Sequence, residues 1–281
     1  MEESFARALW HVMEPVHAVT YFADECLEAH RAVGLRGYWM GYFGARAAPL
    51  GPVPAGVVEA VFYNFHPSRV RRAVPDAWGF AAPAAILDAR AKGAATALRR
   101  LVPEVDEAAP SVNPLLAAVV AAAEASGRPL FGANRDLPER DDPVEVLWQA
   151  ATALREHRGD GHVAVLAAEG LDGCEVHVLM SAIEGVPADM IRLSRAWTPE
   201  DWAAAVDRLA ARGLVAGDGA VTPAGRELRG RIEARTDELA AKPYLAALPD
   251  PEALIPLVRP LGEGAAAGLR FPNPMGLPRP S

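Results

Sequence analysis

The densest group of residues able to do chemistry is His157-Arg158-Gly159-Asp160-Gly161-His162. Two imidazoles bracketing a carboxylate could carry a proton, hold a phosphate or contribute to a metal site. The same six residues also read as local punctuation. A helix would end at His157 and Arg158, Gly159 would cap it, and Asp160 would be the amino cap of the next helix. That second reading accounts for Gly159 and Asp160 but leaves both histidines without a purpose.

His17 follows Glu14 on a helix face shared with Met13, Val16 and Tyr21. Such a histidine serves either as a hydrogen-bonded core residue or as a proton carrier. His17, His157 and His162 are therefore the candidate acid–base residues if the chain is an enzyme. Tyr38, Trp39, Tyr42 and Phe43 form an aromatic helix face, and Arg46 with Arg36 could hold an anionic group beside it. Asn64, in Phe62-Tyr63-Asn64-Phe65-His66-Pro67, adds a polar tip at the end of the next helix. The candidate ligand-binding set is Tyr21, Tyr38, Trp39, Tyr42, Arg46, Asn64, Arg158 and Asp160, with core packing as the competing account of the rings. Arg69-Val70-Arg71-Arg72 is a local basic run, suited either to phosphates or to a solvated helix face. Cys-x-x-Cys, His-Glu-x-x-His, Gly-x-Ser-x-Gly, P-loop and dinucleotide glycine patterns do not occur, so no preformed metal site is expected and no cofactor is named.

These residues must be positioned by helices. Of the 281 residues 51% are hydrophobic, much of that alanine, and only 7% are aromatic. Alanine has the strongest helix propensity, so a mainly α protein is expected. The length suits two ordinary domains or one large one. The net charge of −8 argues against a surface devoted to nucleic acid, which needs clustered Lys and Arg. No apolar run reaches the roughly 18 residues of a membrane span. Met1-Glu2-Glu3-Ser4 lacks the basic region of a signal peptide, and Cys26 and Cys174 cannot make a disulfide framework. A cytoplasmic setting, without a membrane partner, is the expectation.

Helical periodicity covers about residues 3–34, with Pro15 as a kink or a start, then 38–46, 55–65, 83–101 and 113–126. Residues 127–143 hold three prolines and two glycines and read as a linker. Asp142-Pro143 then caps a helix. His162–Gly170 and Cys174–Ile183, joined by Leu171-Asp172-Gly173, make a helix-turn-helix pattern. Thr198-Pro199-Glu200-Asp201 caps another helix. Ala216-Gly217-Asp218-Gly219-Ala220 reads as a hairpin turn between two short strands, and Thr222-Pro223 opens a long helix to about residue 241. The proline-rich tail offers Phe271 and Leu277 as possible anchors.

One order of landmarks occurs twice along the chain. Leu9-Trp10, Gly37-Tyr38, Asp76-Ala77-Trp78 and Ile86-Leu87-Asp88-Ala89-Arg90 keep the order of Leu147-Trp148, Gly161-His162, Arg195-Ala196-Trp197 and Val206-Asp207-Arg208-Leu209. Two copies in one chain make a pseudo-dimer with a seam where a ligand can sit.

Asp207-Arg208-Leu209-Ala210-Ala211-Arg212-Gly213-Leu214-Val215, followed by Val221-Thr222-Pro223-Ala224-Gly225-Arg226-Glu227-Leu228, resembles MarR-type winged helix-turn-helix proteins. There, a helix ending in Arg-Gly-Leu-Val feeds a β wing that closes on a Leu-Thr-x-x-Gly-Arg helix start. The whole chain also resembles a poorly characterised actinobacterial helix-turn-helix family. The shared blocks are Glu14 to Phe22, His157 to His162 and the proline-rich tail. Winged-helix DNA glycosylases are similar in architecture alone, because their Gln-x-Gln signature cannot form where Gln149 is the single glutamine.

Two departures from the MarR pattern matter. The helix that resembles a recognition helix opens with Trp197-Thr198-Pro199-Glu200-Asp201-Trp202, placing carboxylates toward phosphates. The wing tip is Gly217-Asp218-Gly219, without Lys or Arg. The expected architecture is therefore mainly α with short β wings, a tandem duplicated winged helix-turn-helix. Its parts would be a degenerate unit at 1–126, a linker at 127–143, a second unit at 144–245 and a helix with tail at 246–281. The expected function is binding of a small, partly aromatic molecule between the copies, with DNA binding weak or lost. The alternative is an enzyme using histidine acid–base chemistry on a small substrate.

Overall fold

The computed structural model describes residues 2–269 together with 273 and 275. Fifteen α-helices run through the described residues. The first group is α1 (Glu2–Phe22), α2 (Asp24–Ala32), α3 (Gly37–Ala47), α4 (Ala55–Phe62), α5 (Pro67–Arg71), α6 (Ala77–Phe80), α7 (Pro83–Leu101) and α8 (Val105–Ala122). Then come α9 (Pro129–Arg135), α10 (Pro143–Ala168), α11 (Gly173–Glu184), α12 (Ala188–Arg195), α13 (Pro199–Ala211), α14 (Pro223–Ala247) and α15 (Leu254–Ala266). Among the described residues no helix is long and apolar enough to cross a membrane.

Helix α10 is the axis. Its first half sits in the main core, where Leu147 and Trp148 meet Leu9 and Val16 of α1, Leu98 of α7, Leu116 of α8, Tyr244 of α14 and Leu261 of α15. Its last turns enter a second core with Leu179 of α11, Leu209 of α13 and Leu228 and Ile232 of α14. A third core, around Phe43, Phe62, Phe65 and Val70, packs α3 to α5 on Leu130 of α9. Fully burying such side chains stabilises by about 1.5–3 kcal/mol each before entropy is counted.

Several local signals hold. Asp142 accepts hydrogen bonds from the Val144 and Glu145 amides, with Pro143 opening α10. Asp172 and Glu175 form a capping box at α11, as do Thr198 and Asp201 at α13. Thr222 caps α14 through the Gly225 amide. Proline costs nothing at a helix start because the amide it lacks has no intrahelical partner there.

Others are corrected. The helix does not end at His157-Arg158, because α10 runs unbroken through Gly159, Asp160 and Gly161. Gly161 is tolerated mid-helix because the Arg128 guanidinium lies over it; a Cβ there would stand 2.5 Å from Arg128 Nη1. The stretch read as irregular, 127–143, contains α9, whose Leu130 and Phe131 are buried. Two apolar anchors outweigh the local proline and glycine content. The pattern over 3–34 divides at Ala23 into α1 and α2, while Pro15 lies inside α1 without ending it. Helix α8 starts at Val105, eight residues before Asn113, and carries Pro110 and Pro114. In place of the two strands expected around residues 214–221, a single antiparallel bridge joins Val215 and Val221. The proposed anchors Phe271 and Leu277 lie outside the described residues.

Candidate functional site

Helical spacing creates the site. On α1, Trp10, His11, Glu14 and Tyr21 lie 3, 4, 7 and 14 residues after Arg7 and so share a face with it. On α10 the same holds for Arg155, Arg158, Gly159 and His162; on α11 for His177, Met180 and Glu184; on α14 for Arg229 and Glu233. These faces, with Tyr42 and Arg46 of α3, Val61 and Phe62 at the end of α4 and Asn64 and Phe65 just after it, line a cavity of about 930 Å³. Arg195 at the end of α12 and Asn273 and Met275 of the tail complete the wall.

Two ion-pair networks hold it open. In the first, Arg46 grips Glu156 through Nε and Nη2, at 2.8 and 2.9 Å. Arg155 bonds Glu156 at 2.9 Å and Glu14 at 3.2 Å, and Trp10 Nε1 donates to Glu14 at 3.1 Å. In the second, Arg7 and Arg158 share Asp237 and Glu233, while Arg229 joins Glu233 to Glu184 at 2.8 Å. The Arg7 and Arg158 guanidinium groups lie 5.6 and 5.0 Å from the Trp10 ring centroid. Arg46 stacks 4.2 Å over Phe62 and Arg195 4.3 Å over Phe65. Six arginines thus face three lining carboxylates, Glu14, Glu184 and Glu233, with Glu156 and Asp237 just behind. Charge-assisted bonds of this kind are worth more than neutral ones, and the apolar ring faces beside them exclude water.

The electrostatics are those of buried charge. Burial would raise the Glu156 carboxyl, but Arg46 and Arg155 override it and hold it far below the usual carboxylate range. Burial lowers Arg158 and Arg195 from the ordinary arginine value. It also pushes His162 down to about 4 and His177 down to about 3. Both imidazoles are neutral at physiological pH. The Thr236 hydroxyl donates to the Ile232 carbonyl at 2.7 Å, so it accepts the proton of His162 Nδ1, 2.9 Å away. His177 Nε2 donates to the Asn64 carbonyl at 3.2 Å.

Of the residues singled out in the sequence, Tyr21, Tyr42, Arg46, Asn64, Arg158 and His162 meet at this cavity. His17 stands behind Tyr21, bonded to the Tyr21 hydroxyl at 2.9 Å and to Thr152 Oγ1 at 3.0 Å, and stacked on Trp148. Burial drives it well below an ordinary histidine. His157 and Asp160 face the other way, because a helix turns about 100° per residue. The His157 ring abuts Phe131, and burial pushes it to about 3. Asp160 accepts the Phe131 amide at 2.9 Å and so caps α9, not the helix following Gly159. Tyr38 is 40% exposed and outside the cavity wall, as is Trp39, which carries Arg69 4.5 Å over its ring. Arg36 lies over Phe80 and away from Arg46. The basic run is partly engaged, with Arg69 on the Leu193 carbonyl and Arg71 on Glu59.

The three histidines considered for acid–base work therefore do not converge, and all are held neutral well below pH 7. A general base works best with its pKa near the operating pH. Among the described residues, no three His, Cys, Asp or Glu side chains gather as a metal set would require.

Sequence reading missed Arg7, His11, Glu14, Arg155, His177, Arg229 and Glu233. The available signal was the spacing of charges along one helix face, as in Arg155, Arg158 and His162. That spacing equally fits a solvated face, and only the packing of α1 and α14 against α10 turns it inward.

The helix-turn-helix elements adjoin the cavity. Helix α13 exposes Glu200, Ala203, Ala204 and Asp207. Arg208 turns back to Glu175 and Asp172, and Arg212, just past the helix, to the Gly170 and Glu169 carbonyls. No curated protein and no solved structure shows significant similarity to the chain. A family model described as a helix-turn-helix family matches residues 6–272, and the chain belongs to that helix-turn-helix family.

Proposed function

We propose that this protein is a small-molecule receptor of MarR-like regulatory descent, holding an anionic, partly aromatic ligand in the seam cavity and contacting DNA weakly. The observation that carries this reading is the cavity of about 930 Å³, in which arginines outnumber carboxylates and lie beside Tyr21, Tyr42, Phe62 and Phe65. That size is within the range of small-molecule sites, and aromatic walls with a few oriented polar groups are their usual lining. The seam is that of two diverged copies, 1–126 and 144–245. In support, α1 and α10 each carry a Leu-Trp pair and pack on one another through His17, Trp148 and Thr152.

The surface of α13 supports the weak DNA contact of this reading. Glu200 and Asp207 are its exposed charges besides Arg208, which is tied to Asp172 and Glu175. Affinity for DNA rests on unengaged Lys and Arg at phosphates.

Isothermal titration with 2-naphthoate and its uncharged amide tests the proposal. The carboxylate binds saturably at one site per chain, the amide binds at least tenfold more weakly, and Tyr42→Ala weakens both. Absence of heat with either compound overturns the reading. Nanomolar, salt-sensitive binding to promoter DNA would instead make the protein a working repressor.

A further inference from the structure

One short connection, Tyr63 to His66 between α4 and α5, is both cavity wall and seat of the helix-turn-helix. Asn64 and Phe65 line the cavity. The Asn64 carbonyl accepts two hydrogen bonds, from His177 Nε2 on α11 and from Trp197 Nε1 just before α13, each at 3.2 Å. The His66 amide donates to the Arg195 carbonyl at 3.0 Å, at the end of α12. The His66 ring meets Trp197 edge-on at 5.2 Å, and its Nε2 lies 3.8 Å from the Asp201 carboxylate in the first turn of α13. The Tyr63 hydroxyl donates to the Leu171 carbonyl in the turn before α11. Four consecutive residues therefore touch α11, the end of α12 and the start of α13.

The connection is also strained. Tyr63 has φ +40°, a region that side-chain-bearing residues rarely adopt. Gly173 at the start of α11 comes so close that a Cβ would stand 2.2 Å from the Tyr63 carbonyl oxygen. Strained backbone persists only where its surroundings over-determine it, and it clusters at ligand clamps and switch regions. The residues of α13, Pro199–Ala211, are not themselves part of the cavity wall.

We propose that the Tyr63–His66 connection transmits occupancy of the cavity to the helix-turn-helix, a ligand against Asn64 and Phe65 repositioning the start of α13 through Trp197. This rests on the cavity being a ligand site. Linkage makes the effect reciprocal, so anything that engages α13 alters affinity in the cavity by the same factor.

Hydrogen–deuterium exchange with saturating 2-naphthoate tests it, with titration calorimetry run alongside. In the wild-type chain, exchange in Pro199–Ala211 changes by about fivefold or more together with that of the cavity helices, the lower range of measured coupling. Trp197→Phe keeps an aromatic ring against His66 but removes the donor to Asn64. It binds 2-naphthoate within about twofold of wild type, and the change in α13 is lost. Saturable binding with exchange altered only in α1, α10 and α11 overturns the coupling and leaves the cavity reading standing. Should 2-naphthoate give neither heat nor any change in exchange, the cavity reading falls and the coupling with it. The wild-type comparison decides the matter even if Trp197→Phe folds poorly.

Discussion

Glu156 is the most informative single position. Its side chain is 1% exposed and carries three charge-assisted hydrogen bonds, two from Arg46 and one from Arg155. Glu156→Gln keeps the shape and removes the charge. Arg155 retains Glu14, but Arg46, itself only 11% exposed, loses its carboxylate. Breaking a buried pair from one side costs about 3–5 kcal/mol, because the remaining charge stays desolvated. At roughly 2–4 °C per kcal/mol for a chain of this size, the melting temperature falls by about 6–20 °C at pH 7. Calorimetry or urea unfolding reads the loss directly. The sign with pH is fixed as well. A carboxyl held below its unfolded pKa of about 4.3 contributes stability above that value and loses it as pH falls toward the folded pKa. The gap between wild type and Glu156→Gln is therefore flat from pH 5 to 8 and narrows below about pH 4. The variant cavity is also one unit more positive, so 2-naphthoate binds more tightly and restores part of the lost stability by mass action. A loss below about 1 kcal/mol at pH 7, or a gap that widens in acid, would refute the reasoning.

Two further substitutions, with a third as a control, test the frame around the cavity. Burial lifts the Asp160 carboxyl to about 6 despite the Phe131 amide it accepts. Its folded pKa lies above the unfolded value, so the ionised form costs stability above pH 6 and the cost vanishes near pH 4. Asp160→Asn can still accept that amide; it gains on the order of 1–3 kcal/mol at pH 8 and nothing at pH 4, by urea unfolding at both. Gly173→Ala forces a Cβ to within 2.2 Å of the Tyr63 carbonyl and destabilises by about 2–3 kcal/mol or more. Gly217→Ala, in open space, should be near neutral; equal behaviour of the two would contradict the close approach of α11 to the α4–α5 connection.

How much of this was legible in the sequence depended on range. Caps are contacts two or three residues apart, so Asp142, Thr198 and Thr222 announced their helices, and Leu171-Asp172-Gly173 announced the turn before α11. Asp160 misled because its amide partner, Phe131, is 29 residues away and caps a different helix. The apolar content of α9 was outvoted by its prolines and glycines when the burial of Leu130 and Phe131 could not be seen. The residues read as a wing, 207–228, form one bridge and no ladder, because so short a hairpin offers little side-chain area to stabilise one.

By itself, the sequence determined a mainly helical chain, the starts of its C-terminal helices and a helix-turn-helix lineage, all properties of local propensity and spacing. Only tertiary structure decided which polar residues would meet. Arg46 pairs with Glu156 across 110 residues and Arg7 with Asp237 across 230. Periodicity shows that two residues share a helix face, but not what that face is packed against. The same packing turned His157 and Asp160 away from the cavity and brought Arg155, His177 and Arg229 to it.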